Sequence, residues 1–302
     1  GRRPAELTVR HMTTQSSHMN DVNQQRRTVL VTGGTKGIGA EVVRALLVLD
    51  SFHVIVCARS SCLEFDDNPQ IKFHRCDFRD RNDLERMVRS IRGDAGHLFG
   101  LVNNVAAPEI GLINETLPRT SIENAVNVNV FAPLILCQEF VSMIDPAVGG
   151  VVVNVSGAGA GWRPGGAAKV MYHANKVWLT GFTEAFAQEV CSKNIQCYGV
   201  SPTGADTALR RDILRKAAKV LGESSSNTVL PEGNPALESG ELIARLLTIR
   251  PEHLSGRLIS TIWDDLDSVF RAEETTAEPN FGFIRRIDGR NFAAVKTEDE
   301  NR

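Results

Sequence analysis

The chain reads as an α/β protein built on a doubly wound parallel sheet of about seven strands, with helices on both faces. Three observations predict this. Short, wholly apolar runs such as Val29–Val31 and Val151–Val153 suit strands that are buried on both sides. Between such runs lie segments whose apolar residues recur at helical spacing. The two kinds of segment alternate along the chain, the order that strand–helix–strand units impose. At 302 residues and 42% hydrophobic content, there is enough apolar material for a sizeable core.

Residues 28–32 form the first strand, ending in glycines. Residues 37–49 follow as a helix with Ile38, Val42, Val43, Leu46 and Leu47 on one stripe. Residues 53–57, 71–76 and 98–103 are the second, third and fourth strands. Residues 80–92 form a helix between the last two, with Leu84, Met87, Val88 and Ile91 inward. Thr120 or Ser121 caps a long helix running toward Ile144, with a kink expected at Pro133, which cannot donate a backbone hydrogen bond. Residues 150–155 are the fifth strand, 170–192 a helix, 195–200 the sixth strand and 256–261 the seventh.

Residues 207–221 form an amphipathic helix with Leu209, Ile213, Ala217 and Val220 inward. Arg210, Arg211, Arg215, Lys216 and Lys219 make a basic face, which is either solvated or turned to an anionic substrate. The Ser-, Asn-, Gly- and Pro-rich stretch 222–235 is expected to be a mobile loop. One domain is expected over 27–272. Residues 1–26 are expected to be a disordered arm or, with a junction at His11–Met12, a cloning remnant. The tail 273–302 is polar but carries Phe281, Phe283, Ile284 and Ile287, so it either docks or floats.

A net charge of −2 without a basic block argues against nucleic acid as a partner. No apolar run approaches the roughly 20 residues of a membrane span, and the N-terminal residues lack the apolar centre of a secretion signal. Cys57, Cys62, Cys76, Cys137, Cys191 and Cys197 show neither Cys-x-x-Cys pairing nor zinc-like grouping with His, so no metal site is expected. Reduced, mostly buried thiols in a cytoplasmic setting fit this usage.

Two groups of residues carry chemistry. In Gly33-x-x-x-Gly37-x-Gly39, glycines between a strand and an amphipathic helix let the backbone turn sharply against a pyrophosphate, which the helix N-terminus then binds. Tyr172 and Lys176, four apart, share one helix face. A free phenol with a pKa near ~10 is a poor acid–base group at neutral pH, and a neighbouring cation is expected to lower that value. Arg59 follows the second strand where NAD-preferring folds carry a carboxylate. With Lys36 in the glycine loop it favours the 2′-phosphate of NADP(H), since a guanidinium pairs well with phosphate. A solvated strand end is the plain alternative for Arg59. Asp77, after the third strand, either accepts from an adenine amino group or caps a turn.

Taken together, Thr32 to Gly39, Asp77, Asn103-Asn104-Val105-Ala106, Asn129, Ser156, Tyr172-His173-Ala174-Asn175-Lys176, Pro202 and Thr207 resemble, in order, the motifs of the short-chain dehydrogenase/reductase family. The resemblance covers roughly residues 27–262 and implies a Rossmann-like fold. It implies that Tyr172 donates the proton in ketone reduction. Lys176 then lowers the phenol's pKa and holds the nicotinamide ribose, Ser156 hydrogen-bonds the carbonyl oxygen, and Asn129 supports a water leading from Lys176 to solvent. It extends the nucleotide contacts to Gly33, Thr35, Lys36, Gly37, Ile38, Gly39, Arg59, Asp77, Phe78, Asn103, Tyr172, Lys176, Pro202, Ala205 and Thr207. It also makes about 203–235 a substrate lid.

The chain departs from the family pattern at four places. Gly157 follows Ser156 where many members have a second serine, and Ser156 lies sixteen residues before Tyr172, about two more than usual, so residues 159–171 are expected to hold a small insertion. Val105-Ala106 replaces the usual Ala-Gly, and Thr203 follows Pro202 in place of glycine. The last two changes crowd the nicotinamide pocket. Trp162, in the Gly/Pro-rich loop 159–166, either walls that pocket or packs on another subunit, and the tail 283–290 either meets a second subunit or closes over the site. The expected protein is a cytoplasmic NADPH-dependent carbonyl reductase or secondary-alcohol dehydrogenase, a homo-oligomer (dimer or tetramer) acting on a small molecule. A non-redox enzyme on the same fold (isomerisation or cyclisation) and a nucleotide-bound regulator without turnover are the rival expectations.

Overall fold

A computed structural model describes residues 26–115, 117–157, 167–202, 204–222, 234–271 and 282. The N-terminal arm to residue 25, Trp162 and its loop, Thr203, residues 223–233 and, apart from Gly282, the tail beyond residue 271 lie outside the described residues. So do the expectations placed on them.

Along the chain come β1 (Arg27–Thr32), α1 (Gly37–Val48), β2 (Phe52–Ala58), β3 (Ile71–Arg75), α2 (Arg81–Ala95) and β4 (Gly100–Asn103). Next are α3 (Arg119–Val126), a π-helical turn (Asn127–Phe131), α4 (Ala132–Met143), β5 (Gly150–Val155), α5 (Val170–Val190) and β6 (Ile195–Ser201). Last come α6 (Ala208–Leu221), α7 (Pro235–Ile249), β7 (Leu258–Ser260) and α8 (Leu266–Val269). The strands form one sheet, ordered β3-β2-β1-β4-β5-β6-β7, with every neighbouring pair parallel. Strand order reverses between β1 and β4, and a crevice beyond the carboxyl ends of the strands at such a reversal is where ligands bind.

The pleat sorts the core into two layers. Val29, Val31, Val54, Val56, Val151 and Val153 face one side, packed with Val43 and Leu46 of α1 and Leu246 and Leu247 of α7. Leu30, Ile55, Leu101 and Val152 face the other, against Leu84 and Ile91 of α2, Leu136 and Phe140 of α4 and Phe186 of α5. A polar ladder crosses the second layer. Asn103 Nδ2 donates to Asn154 Oδ1 (2.9 Å), and Asn154 Nδ2 donates to Thr183 Oγ1 of α5 (2.9 Å). This anchors α5 to the centre of the sheet, because leaving any of these buried groups unpaired costs about 1–3 kcal/mol.

The structure differs from the sequence reading at several points. The helix expected to be capped by Thr120 or Ser121 starts at Arg119, with Pro118 as N-cap and no side-chain cap. α7 falls where no element was expected. Its Gly240 is required, since a Cβ there would stand 2.7 Å from backbone and side-chain atoms of Glu41, so α7 crosses α1 at very close range. The fourth strand starts at Gly100 and the seventh is confined to Leu258–Ser260. The break in the long helix is not a kink at Pro133 but the π-turn just before it, with Pro133 in the first turn of α4. Pro133 cannot donate to the carbonyl of Asn129, and the helix widens over that turn. This helical stretch, Arg119–Met143, is also long and apolar enough by composition to cross a bilayer. Here Leu136, Cys137 and Phe140 lie in the core beneath the sheet.

Candidate active site

The glycine loop after β1 is shaped by necessity. Gly33 and Gly37 adopt φ of +67° and +57°, a region that other residues enter only under strain. Gly39 is fixed by crowding, because a Cβ there would lie 2.3 Å from the Gly33 carbonyl oxygen and 2.6 Å from Asn104 Nδ2. Thr32 and Asn104 tie the loop down. Thr32 Oγ1 donates to the Val102 carbonyl (3.1 Å) and accepts from the Asn104 and Val105 amides (2.9 and 3.1 Å). Asn104 Nδ2 donates to the Thr32 carbonyl (2.9 Å). Among the described residues, α1 has no side-chain N-cap and no acidic residue in its first turn, so its free N–H groups and positive dipole end are open to an anion. This cradle fits a nucleotide pyrophosphate. Thr207, the N-cap of α6, lies over it, with its Cγ2 3.3 Å from where a Cβ on Gly37 would stand. Ala205 is buried just before it and Pro202 is partly buried after β6, so the start of α6 lies against the glycine loop.

At the adenosine end, the Cys76 amide donates to the Ala58 carbonyl (2.9 Å), which sets Arg59 and Asp77 side by side. Lys36 and Arg59 are exposed here, with Thr35 and Ile38 partly buried. The Asp77 carboxylate is paired with the Arg79 guanidinium at 2.5–3.1 Å, which holds it below the usual carboxylate range. The Phe78 ring is buried in the core, leaving only its backbone for a nucleotide; the Asn103 amide nitrogen is spent on the polar ladder, while its Oδ1 is buried without a partner among the described residues.

On the catalytic side, α5 carries Tyr172 and Lys176 toward the end of β5. The Lys176 ammonium is buried, donates to the Val155 carbonyl (2.6 Å) and lies 6.0 Å from the centroid of the Tyr172 ring. Burial pushes the Tyr172 phenol up to about 12 and the Lys176 amine down to about 8. The sequence led us to expect a lowered phenol. In the structure desolvation governs both groups, because the lysine reaches past the ring to a strand carbonyl.

Ser156 does not present its hydroxyl to the site. Its Oγ donates to the Lys176 carbonyl (3.0 Å) and lies 2.6 Å from Thr180 Oγ1, so it fastens β5 to α5. The Asn129 side chain makes a paired bridge to Ala107, accepting from its amide (2.9 Å) and donating to its carbonyl (2.8 Å), and so holds the loop after β4 over the site. Asn127 faces away, accepting from Arg81 Nε (3.0 Å) and donating to the Arg79 carbonyl (3.0 Å).

A family model described as "short chain dehydrogenase" matches residues 27–218. The chain belongs to the short-chain dehydrogenase family. Curated relatives include a 3beta-hydroxysteroid dehydrogenase of Mediterraneibacter gnavus, 28% identical over 65% of this chain and 73% of its own. Another is carbonyl reductase family member 4 of Xenopus laevis, 27% identical over 67% and 82%. A solved short chain dehydrogenase family protein from Francisella tularensis superposes with a TM-score of 0.68 at 22% identity, covering 78% of this chain and 96% of that one. As a short-chain dehydrogenase, the protein is an oxidoreductase of a family that binds a nicotinamide cofactor. Sequence reasoning placed Thr32 and Asn104 within the motifs that resemble the family but did not name either as a site residue; their role is to tie the glycine loop to β4.

Proposed function

We propose that this short-chain dehydrogenase is an NADP(H)-dependent carbonyl reductase, or in reverse a secondary-alcohol dehydrogenase, acting on a small-molecule ketone. The observation that carries this reading is a phenol and a buried amine, four residues apart on α5, at the same sheet edge as an open helix N-terminus behind a glycine loop. The names of the two curated relatives, a hydroxysteroid dehydrogenase and a carbonyl reductase, support the same reaction class. A bound nicotinamide nucleotide supplies the hydride to the carbonyl carbon.

Tyr172 donates its proton to the carbonyl oxygen. A phenol held near 12 is fully protonated at neutral pH, which suits reduction. Lys176, when charged, stabilises the phenolate left behind. With Ser156 engaged by α5, Tyr172 activates the carbonyl alone. Asn129 holds the loop that covers these groups. Lys36 and Arg59, both exposed at the adenosine rim, are the basis for preferring NADP(H).

Oxidation of NADPH by a panel of ketones tests the reaction. Tyr172→Phe is expected to lower kcat by about 10²- to 10⁴-fold, and undiminished turnover in that variant would refute the assignment. Arg59→Asp should weaken NADPH far more than NADH, and equal weakening would remove the phosphate assignment. The engaged hydroxyl of Ser156 favours one second reading, a non-redox step on the same scaffold. Product formed at a rate independent of the nucleotide's redox state would establish it.

A further inference from the structure

Gly282 lies against the outer edge of the sheet. β7 stands last in the strand order and pairs on one side with β6. The Arg257 carbonyl accepts from the Gly199 amide (2.8 Å) and the Thr261 amide donates to the Ser201 carbonyl (3.4 Å), so these two positions face β6. Leu258 and Ser260, which alternate with them, turn their amides outward. Each has a partner from its own chain. The Leu258 amide donates to the Gly282 carbonyl (2.7 Å), and the Ser260 amide donates to Asp264 Oδ2 (2.7 Å).

The contact at Gly282 demands glycine. Its φ is +68°, and a Cβ there would stand 2.8 Å from the Leu258 carbonyl oxygen and 2.9 Å from Arg257 Cβ. Backbone therefore meets backbone at this point, an approach that any side chain would prevent. The turn after β7 sets apolar surface beside the same edge. Ser260 Oγ accepts from the Ile262 and Trp263 amides (3.3 and 3.2 Å), and the side chains of both residues are exposed, Trp263 to 57%. An open edge flanked by apolar side chains is a template for pairing with another chain.

We infer that Gly282 is a clip: it ties the C-terminal segment to β7 and closes this edge of the sheet, which once opened pairs with a second copy of the chain beside Ile262 and Trp263. Asp264 keeps the Ser260 amide occupied. Among the described residues, the Gly282 carbonyl is what stands between the Leu258 amide and a second strand.

The test compares the full chain with Gly282→Val and with a chain ending at residue 280. Hydrogen exchange of single amides is read by NMR at low concentration, with Ser260 as the internal reference because its partner Asp264 stays in place. Sedimentation velocity over a concentration series gives the size of the assembly, and a thermal melt checks the fold. Loss of the clip should speed exchange at Leu258 at least about tenfold, with Ser260 changed less than about twofold. Both altered chains should form an assembly larger than that of the full chain as concentration rises. Adding Trp263→Lys should return them to the size of the full chain, since a charge beside an edge opposes pairing. The shortened chain carries the test if the valine variant fails to fold. Equal exchange at Leu258 in all three chains would overturn the inference. So would faster exchange with no larger assembly, or a larger assembly that persists with Trp263→Lys.

Discussion

Lys176 gives two readouts of one proton, and they move in opposite directions with pH. Burial lowers its amine from 10.5 to about 8. In the nucleotide-free enzyme the side chain is therefore about 90% protonated at pH 7 and about 10% at pH 9. If the charged amine supports proton donation by Tyr172, kcat/KM for the nucleotide, which reports the free enzyme, should fall about tenfold between those pH values. Stability moves the other way. Below about pH 8 the native state carries a buried charge that the unfolded chain keeps in water. Between about 8 and 10.5 the unfolded chain binds the extra proton, so raising the pH favours the native state.

The shift corresponds to a cost of about 3 kcal/mol at pH 7, falling to about 1 kcal/mol at pH 10. Burial raises the thiols of Cys57, Cys137 and Cys197, and these lose stability over the same alkaline range. The quantity to measure is therefore the difference in unfolding free energy between wild type and Lys176→Met, which cancels them. That difference should shrink by about 2 kcal/mol, to the disadvantage of the variant, from pH 7 to pH 10. A flat difference, together with a wild-type rate profile level to pH 10, would refute the assignment of a buried, neutralising lysine.

Three further perturbations follow from named contacts. Gly39→Ala puts a methyl group 2.3 Å from the Gly33 carbonyl, so nucleotide affinity should fall at least about tenfold while the melt stays cooperative, as titration with NADPH would show. Ser156→Ala removes the bonds to Lys176 and Thr180 and should cost about 1–3 kcal/mol in denaturant unfolding. Its effect on kcat should stay well below the ~10²–10³-fold typical of a lost oxyanion donor. Gly100→Ala should overpack against Leu247 and Val29 by about 1–3 kcal/mol. Leu247→Ala should cost about 2–5 kcal/mol, and the double variant should cost less than the sum, because the added methyl fills part of the cavity.

The sheet was legible because parallel strands covered on both faces read as unbroken apolar runs, so all seven strands and their order along the chain came from pattern alone. α7 escaped for a physical reason. Its Gly240 and the Pro/Gly-rich approach read locally as loop, and only the backbone of Glu41, on an element two hundred residues earlier, explains why a helix carries glycine there. The nucleotide cradle was legible through Gly33, Gly37 and Gly39, since left-handed angles and close approach leave few other residue choices.

Tyr172 and Lys176 were legible as a pair on one helix face, and their electrostatics were not. Spacing on a helix fixes where two side chains begin and says nothing about where a long one ends. The Lys176 stem runs to the Val155 carbonyl, its one hydrogen-bond partner among the described residues, and both it and the phenol lose water on the way. Ser156 shows the same limit. Its place at the end of an apolar strand is readable, yet its hydroxyl meets the Lys176 carbonyl and Thr180 Oγ1, partners on a helix 20 and 24 residues further on that no local pattern names. The chemistry at this end of the sheet therefore depends on where α5 lands as much as on which residues the strand end carries.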